Sequence, residues 1–576
     1  MKVLLVAINS KYIHTNLAVR YLKQYSSQHD EISIAEYTIN QRVDEIAADI
    51  YRQKADIIGL STYIWNVQQV LDTAEILKTV NPDVRIILGG PEVSFDPIEI
   101  LKGHEFIEAV VYGEGEETFK EILEGKDYKD IAGLAFRSSG TIEINPSRPV
   151  IDEMERIPFP YTEEDDLRNK IAYYEASRGC PFNCSFCLSS TIKGVRFLPL
   201  ERVYRDLSFL MNTGAKQIKF VDRTFNANKE FAKSIMKFIE YSGTEMTGFH
   251  AEITAHLVDD EQLEFLKGLK KDLFQFEIGV QSTNTQTIDS IDRTTDFEKL
   301  KRVASIIGSY KNIHQHLDLI AGLPYEDYNS FGNSFNDLYE IQPEKIQLGF
   351  LKLLKGSRLR NEAEKYGIRF IDKAPYEVIE TKWLSYDELL KLKDIEELVE
   401  RYYNEKMFQT TLNCLIPDSF GSAFEFFEDF SNYWRVNNLF AEAHGKDALY
   451  SILQDYMVSR NFKNIEMLKD SLRFDYTYNN KGKSIPQFLR SREYSIGNLI
   501  HQVVKQPDFL ELLLPEDREN AAKEIIKKVK VELFNWNFID PFNSKKNCQL
   551  KKEETAILFY NGRTVDITEI LREVRD

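Results

Sequence analysis

The chain has 576 residues, a formal net charge of −18, 43% hydrophobic and 12% aromatic residues. That length exceeds what one hydrophobic core holds and implies two to four domains, while the apolar content excludes a disordered chain. The acidic balance, with no polybasic cluster, argues against a nucleic-acid partner, and no run reaches the roughly 18 apolar residues of a membrane span.

From the start, short apolar runs (residues 3–8, 32–35, 57–60, 86–88 and 109–112) alternate with segments of helical period (17–25, 44–51 and 67–79). The opening Met1-Lys-Val-Leu-Leu-Val-Ala-Ile8 mimics a signal peptide. It is short, lacks a small-residue cleavage site and is broken by Asn9-Ser-Lys11, so it reads as a buried strand. Such alternation predicts an α/β fold with a doubly wound, Rossmann-like sheet over 1–135, whose ligands lie beyond the carboxyl ends of the strands. Those ends carry Asn9-Ser10, Gly59-Leu-Ser-Thr62, Gly89-Gly90 and Gly113-Glu-Gly-Glu116. In order and spacing, Ser61-Thr62 and Gly89-Gly90 resemble the cobalamin (vitamin B12) binding domain found ahead of many radical S-adenosylmethionine (SAM) domains. The resemblance implies that Asn9, Ser10, Ser61, Thr62, Gly89, Gly90 and Gly113 contact cobalamin, the glycine pair letting a flat ligand approach the backbone. One well-known version of the family has Asp-x-His-x-x-Gly after the first strand. Here Asn9-Ser-Lys-Tyr-Ile-His14 stands instead, so no histidine is expected below the cobalt, and His14 reads as a loop or packing residue. The alternative is a flavodoxin-like domain that keeps the fold without the ligand.

Residues 136–169 read as a linker. Arg137-Ser-Ser-Gly140 and Asn145-Pro-Ser-Arg-Pro149 punctuate a hairpin, and Ile157-Pro-Phe-Pro-Tyr161 is extended because proline disfavours helix in the residue before it.

A second strand–helix alternation follows over 170–385. Strands are expected at 171–176, 217–221, 247–253, 274–280, 314–320 and 345–351, with helices such as 201–211 and 228–240 between them. Six such units predict an incomplete TIM-like barrel with its site at the carboxyl ends of the strands. The first strand runs into Glu175-Ala-Ser-Arg-Gly-Cys-Pro-Phe-Asn-Cys-Ser-Phe-Cys187, which holds three of the chain's five cysteines. Cys180, Cys184 and Cys187 in Cys-x3-Cys-x2-Cys spacing can each take one iron of a [4Fe–4S] cube, leaving the fourth iron open to a small molecule. Zinc would want a fourth ligand and a paired Cys-x2-Cys, and a disulfide framework does not suit a long, cysteine-poor chain. An oxygen-labile cluster and few cysteines point to a reducing cytoplasm.

This loop resembles the radical SAM enzymes, in which the open iron holds SAM, and the resemblance extends along the strands. It implies that Phe186 meets the adenine, or else packs the loop. Asp222, in Phe220-Val-Asp-Arg-Thr-Phe-Asn226, stands where many relatives carry Gly-Gly-Glu and is the candidate acceptor for the SAM ammonium. Glu252 closes the third strand as a sugar or methionine contact. Gln281 follows the fourth, and Arg293 pairs with the SAM carboxylate or else forms a surface salt bridge. Gly322, in Asp318-Leu-Ile-Ala-Gly-Leu-Pro324, and Leu351 on the sixth strand line the adenine.

Residues 386–576 predict a mainly helical accessory domain, with helical pattern at 387–403, 447–458 and 516–531. The aromatic groups Phe424-Glu-Phe-Phe427 and Tyr433-Trp434 read as core, and Cys414 and Cys548 as incidental thiols. The region is similar to an uncharacterised domain that accompanies cobalamin-type radical SAM proteins.

Together these features imply a cobalamin-dependent radical SAM enzyme that takes an electron from a flavodoxin or ferredoxin and cleaves SAM to a 5′-deoxyadenosyl radical. Methylation of an unactivated carbon in a small-molecule or peptide substrate is the expected outcome. A cobalamin-assisted rearrangement or cyclisation, and a cofactor-binding regulator without turnover, stand as alternatives. RNA methylthiolation is disfavoured by the acidity of the chain.

Overall fold

The computed structural model describes residues 1–28, 31–138, 140–243, 247–480, 483–490, 499–539, 542, 550 and 552–575. They divide into two compact units, Met1–Ser334 with Leu348–Leu389, and Phe335–Gln347 with Leu390–Asp576.

The amino-terminal runs become strands β1 (Lys2–Asn9), β2 (Glu31–Thr38), β3 (Ile57–Ser61), β4 (Arg85–Gly89) and β5 (Ala109–Val111). They pair in parallel in the order β2-β1-β3-β4-β5. Helices cover both faces, which is why β1 is apolar throughout Val3–Ile8 rather than at alternate positions. Leu4, Val6 and Ile8 join one core with Val70 and Leu77, while Val3, Leu5 and Ala7 join another with Val19, Phe119 and Ile122. The hairpin foreseen in the linker forms as β6 (Leu134–Ser138) and β7 (Thr141–Ile144), and it extends this sheet in antiparallel fashion. The strand order reverses between β1 and β3, so a crevice opens beyond their carboxyl ends.

Further along the chain lie β8 (Ile171–Tyr174), β9 (Ser177–Cys180), β10 (Gly194–Phe197), β11 (Gln217–Phe220), β12 (Gly248–Ile253), β13 (Phe274–Gln281), β14 (Ile313–Ala321) and β15 (Lys345–Phe350). Six of them form a sheet in the order β15-β14-β13-β12-β11-β8, parallel from β8 to β14. Two short hairpins depart from the expectation. The predicted strand 171–176 stops at Tyr174, and the chain re-enters extended structure as β9, pairing antiparallel with β10. Beyond the barrel, β16 (Arg369–Phe370) and β17 (Val378–Glu380) form a second hairpin.

The second unit is mainly helical, with long helices at Gln409–Ser419, Ala423–Val436, Lys446–Arg460 and Ile465–Asn479. Phe424, Phe426, Phe427, Phe430 and Trp434 are buried and Tyr433 is half-buried, so the aromatic groups are core. Asp475 caps the first of these helices, accepting from the Thr410 and Thr411 N–H groups at 3.1 and 2.8 Å. The helix expected at 516–531 is not continuous. Short helices at Pro515–Arg518 and Ala522–Lys528 give way to β18 (Lys530–Trp536), because Val529-Lys-Val-Glu-Leu-Phe534 alternates with the period of a strand. It pairs antiparallel with β19 (Lys552–Tyr560), which pairs with β20 (Arg563–Asp566). Cys414 is buried, and Cys548 lies outside the described residues. No helix among the described residues is long and apolar enough to cross a membrane.

Gly90, after β4, has φ +112°, and a Cβ there would lie 2.4 Å from the Thr62 carbonyl oxygen. Gly90→Ala should therefore lower stability by about 2 kcal/mol, read as a shifted midpoint in equilibrium denaturation.

Candidate functional site

The cysteine segment is built on the β9–β10 hairpin. Gly179 has φ +105°, and a Cβ there would stand 2.1 Å from the Gly194 carbonyl oxygen, so only glycine lets the two strands close before Cys180. The turn beyond is clasped from outside: Ser185 N–H donates to Ile291 O and Leu359 N–H to Ser185 O, both at 2.9 Å. Each sulfur has a polar neighbour. Thr224 Oγ1 lies 3.6 Å from Cys180 Sγ, Ser189 N–H donates to Cys187 Sγ at 3.4 Å, and the Arg293 guanidinium donates to Cys184 Sγ at 3.5 Å.

Burial pushes the Cys184 thiol up, Arg293 opposes this, and Cys180 and Cys187 are near enough to act on it. No three described His, Cys, Asp or Glu side chains close on a single ion-sized point. Three thiols that bear on one another suit the corners of one iron–sulfur cube.

Arg293 meets a thiol and the Gly279 carbonyl rather than a carboxylate, which removes the surface salt bridge as its explanation. Its Nε is buried without a partner, an orphaned donor beside the cysteines. That donor set fits an iron–sulfur cluster with an anionic ligand.

The other SAM candidates divide. Glu252 is half-buried, its carboxylate has no hydrogen-bond partner among the described residues, and burial pushes it up while Arg223 opposes. Gln281 has φ +72° at a bulge between β13 and β14, which sets its side chain apart from the pleat. Phe186 is half-buried in the cysteine turn. Three others are engaged with the protein. Asp222 is 1% exposed and accepts from Ala176 N–H at 3.0 Å and Ser177 O–H at 2.5 Å, so both oxygens hold the start of the cysteine hairpin. Leu351 donates to Ala321 O and accepts from Val378 N–H, both at 2.9 Å, so its backbone serves the sheet. Gly322 needs its φ of +92°, but a Cβ there would meet Val378 at 2.8 Å, so its bare face is covered by β17.

Where the first sheet's carboxyl ends meet the barrel, a cavity of about 1360 Å³ opens. It exceeds the roughly 300–1,000 Å³ of ordinary small-molecule pockets. Asn9, Ser10, Ser61, Gly89, Gly90 and Gly113 line it from one side. Gly113, at φ +80°, has nothing within 4 Å of where a Cβ would be, which leaves a cradle for a broad ligand. Thr62 does not line the cavity; it is fully buried beneath Gly90, its N–H bonded to Gly89 O at 2.7 Å. His14 lines the wall with Nδ1 2.7 Å from the Tyr173 hydroxyl.

Other lining residues were not among the sequence candidates. Tyr63 and Trp65 stack at 4.4 Å and 8° just beyond β3. Arg178 donates to Glu175 at 2.8 Å and to Glu116 at 2.6 Å, with Glu114 at 3.5 Å, and Glu114 also receives Arg196 at 2.6 Å. Arg178 and Glu175 lie in the cysteine segment, yet the other two partners, Glu116 and Glu114, are 62 and 64 positions away in sequence, beyond any local pattern. Deeper in the barrel, His250 Nε2 at 3.0 Å and Lys219 at 3.4 Å hold the Glu277 carboxyl down to about 2.

A doubly wound sheet with a corrin-sized cradle, followed by a partial barrel that opens on a three-cysteine hairpin, defines the cobalamin-binding class of radical SAM proteins. Residues 3–123 match the B12 binding domain family, 174–338 the radical SAM superfamily and 364–559 a family described as protein of unknown function (DUF4080). The chain is thus a B12-binding radical SAM protein with a carboxy-terminal DUF4080 domain.

It is 34% identical over 248 residues to an uncharacterized methyltransferase of Pyrococcus horikoshii, covering 40% of this chain and 53% of that protein. It is 25% identical over 409 residues to the cobalamin-dependent radical SAM methyltransferase TokK of Streptomyces tokunonensis, covering 65% and 59%. The match thus spans only between about half and three-fifths of these relatives' length. The cobalamin-dependent SAM radical enzyme OxsB, solved with aqua-cobalamin and SAM, superposes with a TM-score of 0.57 at 14% identity over 92% of this chain and 84% of that one, a likeness of fold.

Burial pushes the Asp222 carboxyl up to about 7. The folded protein then keeps a proton that the unfolded chain releases near pH ~4, so this group's contribution to stability falls as pH rises from about 4 through about 7. Asp222→Asn cannot ionise and should flatten that slope. Denaturation of both proteins at about pH 5 and about pH 8 measures it; an unchanged slope contradicts the assignment.

Proposed function

We propose that this protein is a cobalamin-dependent radical SAM enzyme that methylates an unactivated carbon of its substrate. One observation carries the reading: Arg178, Leu188, Thr191 and Ile192 of the cysteine hairpin line the same cavity as Gly89 and Gly113 of the first sheet. A corrin held there would lie beside the segment that carries Cys180, Cys184 and Cys187, at the short range that effective concentration requires. The similarity to the cobalamin-dependent radical SAM methyltransferase TokK supports methyl transfer as the outcome.

In this reading Cys180, Cys184 and Cys187 hold a [4Fe–4S] cluster, and Asn9, Ser10, Ser61, Gly89, Gly90 and Gly113 cradle the corrin. Arg293 offers its unpaired Nε to the SAM carboxylate, and Glu252, Gln281 and Phe186 contact the rest of SAM. When bound, these groups supply reductive cleavage of SAM and a methyl group for transfer to carbon. The protein's own work is orientation and exclusion of water. Asp222 holds Ala176 and Ser177 so that the hairpin leaves β8 at a fixed angle. Arg178 fastens that hairpin to the glutamates after β5. We take 1–135 as the cobalamin module, 136–169 as linker, 170–385 as radical SAM core and 386–576 as an accessory domain, with a flavodoxin or ferredoxin as electron donor.

Anaerobically reconstituted protein given reductant and SAM should form 5′-deoxyadenosine, and Cys184→Ala should reduce this to background. No 5′-deoxyadenosine from the iron-loaded wild type would end the radical reading. Methyl-labelled SAM separates methylation from rearrangement, because only the former moves label into product. Gly113→Leu would fill the cradle and should strip the corrin absorbance from the purified protein while leaving its iron content unchanged.

A further inference from the structure

Three arginines line the cavity, and they are not equivalent. Arg178 is surrounded by Glu114, Glu116 and Glu175. Arg148 is paired with Glu121 and hydrogen-bonded to Thr118 at 2.9 Å. The guanidinium of Arg223, beyond the end of β11, has no hydrogen-bond or ion-pair partner among the described residues, and the residue is exposed and lines the cavity. Its charge acts on Tyr63, beyond β3 of the first sheet, and on Glu252, on β12 of the barrel. Its charge thus reaches both the first sheet and the barrel, although none of the SAM candidates itself lines the cavity.

Its backbone is also held firmly. On one side Asp222 is bonded to Ala176 and Ser177; on the other Thr224 Oγ1 donates to Arg223 O at 2.8 Å and lies against Cys180. A guanidinium with free donors on a fixed backbone is a bidentate receptor for carboxylate or phosphate, and its planar fork is already organised for either. Lysine would not do the same, being a flexible point charge. The remaining cation near this wall, Lys219, already serves Glu277 at 3.4 Å.

We propose that Arg223 anchors the substrate, and that the substrate is an anion whose carboxylate or phosphate lies beside the carbon to be modified. This rests on the proposed function for what happens to that carbon, but the anion site itself can be tested without turnover. The two cofactors also carry anionic groups, so the test must separate them from the substrate.

Holoprotein loaded with cobalamin and SAM under anaerobic conditions is treated with phenylglyoxal, and the adduct on Arg223 is followed by peptide mass spectrometry. Modification should proceed in the loaded protein and be slowed roughly tenfold or more by orthophosphate or by acetate, the size expected of charge-assisted hydrogen bonds. Protection by orthophosphate alone assigns a phosphate, and protection by acetate alone a carboxylate; protection by neither overturns the proposal. Arg223→Gln should bind cobalamin and SAM, followed by absorbance and by the cluster's electron paramagnetic resonance, within about twofold of wild type. Loss of either cofactor from the variant would place Arg223 in a cofactor site and also overturn the proposal. Failure of SAM cleavage with anion protection intact would sink the proposed function and leave the anion site standing.

Discussion

One guanidinium holds the candidate site together. Arg178 sits two positions before Cys180, largely buried, with Glu175 on its own segment, Glu114 on the loop after β5 and Glu116 at the start of the helix that follows. Burial raises the Glu175 carboxyl and would destabilise any one of these groups alone. Together they satisfy one another, and removing one member of such a set leaves uncompensated charge in a low-dielectric place. The network therefore locks the cysteine hairpin to the cavity wall formed by the first sheet. A link of this stiffness fixes the cysteine segment against the cavity.

Around that lock, the polar groups divide between those that build the site and those left open in it. Asp222, Leu351, Gly322 and Thr62 stand at strand ends where ligand contacts were expected, yet their polar atoms or bare faces are taken up by the protein. Glu252, the Nε of Arg293 and Arg223 remain without partners. Unpaired polar groups are costly in an enclosed site, and they persist where a ligand completes them. The open set is thus the better guide to what binds.

Much of the architecture was legible along the chain. Apolar runs at strand length, alternating with helical period, located both sheets, and glycine and polar residues after the strands located the crevice. The spacing of Cys180, Cys184 and Cys187 carried the resemblance to the radical SAM loop within eight residues. The carboxy-terminal region was less legible: 516–531 has helical composition, but its last residues alternate and pair with β19, a partner that local pattern cannot reveal. The β9–β10 hairpin escaped for the same reason, since its two strands are four residues each and have little apolar signal.

From sequence alone follow those properties that depend on neighbours in the chain: strand or helix period, turns that need glycine, and thiolates close enough to share one cluster. Tertiary structure decided which strand-end residues face the cavity and which face the protein, because hydrogen-bond partners such as Ala176 for Asp222 or Val378 for Leu351 come from elsewhere in the chain. It also brought Arg178 to Glu114 and Glu116, and set Arg223 between Tyr63 and Glu252. Charge pairing depends on distance in space, and folding alone sets that distance.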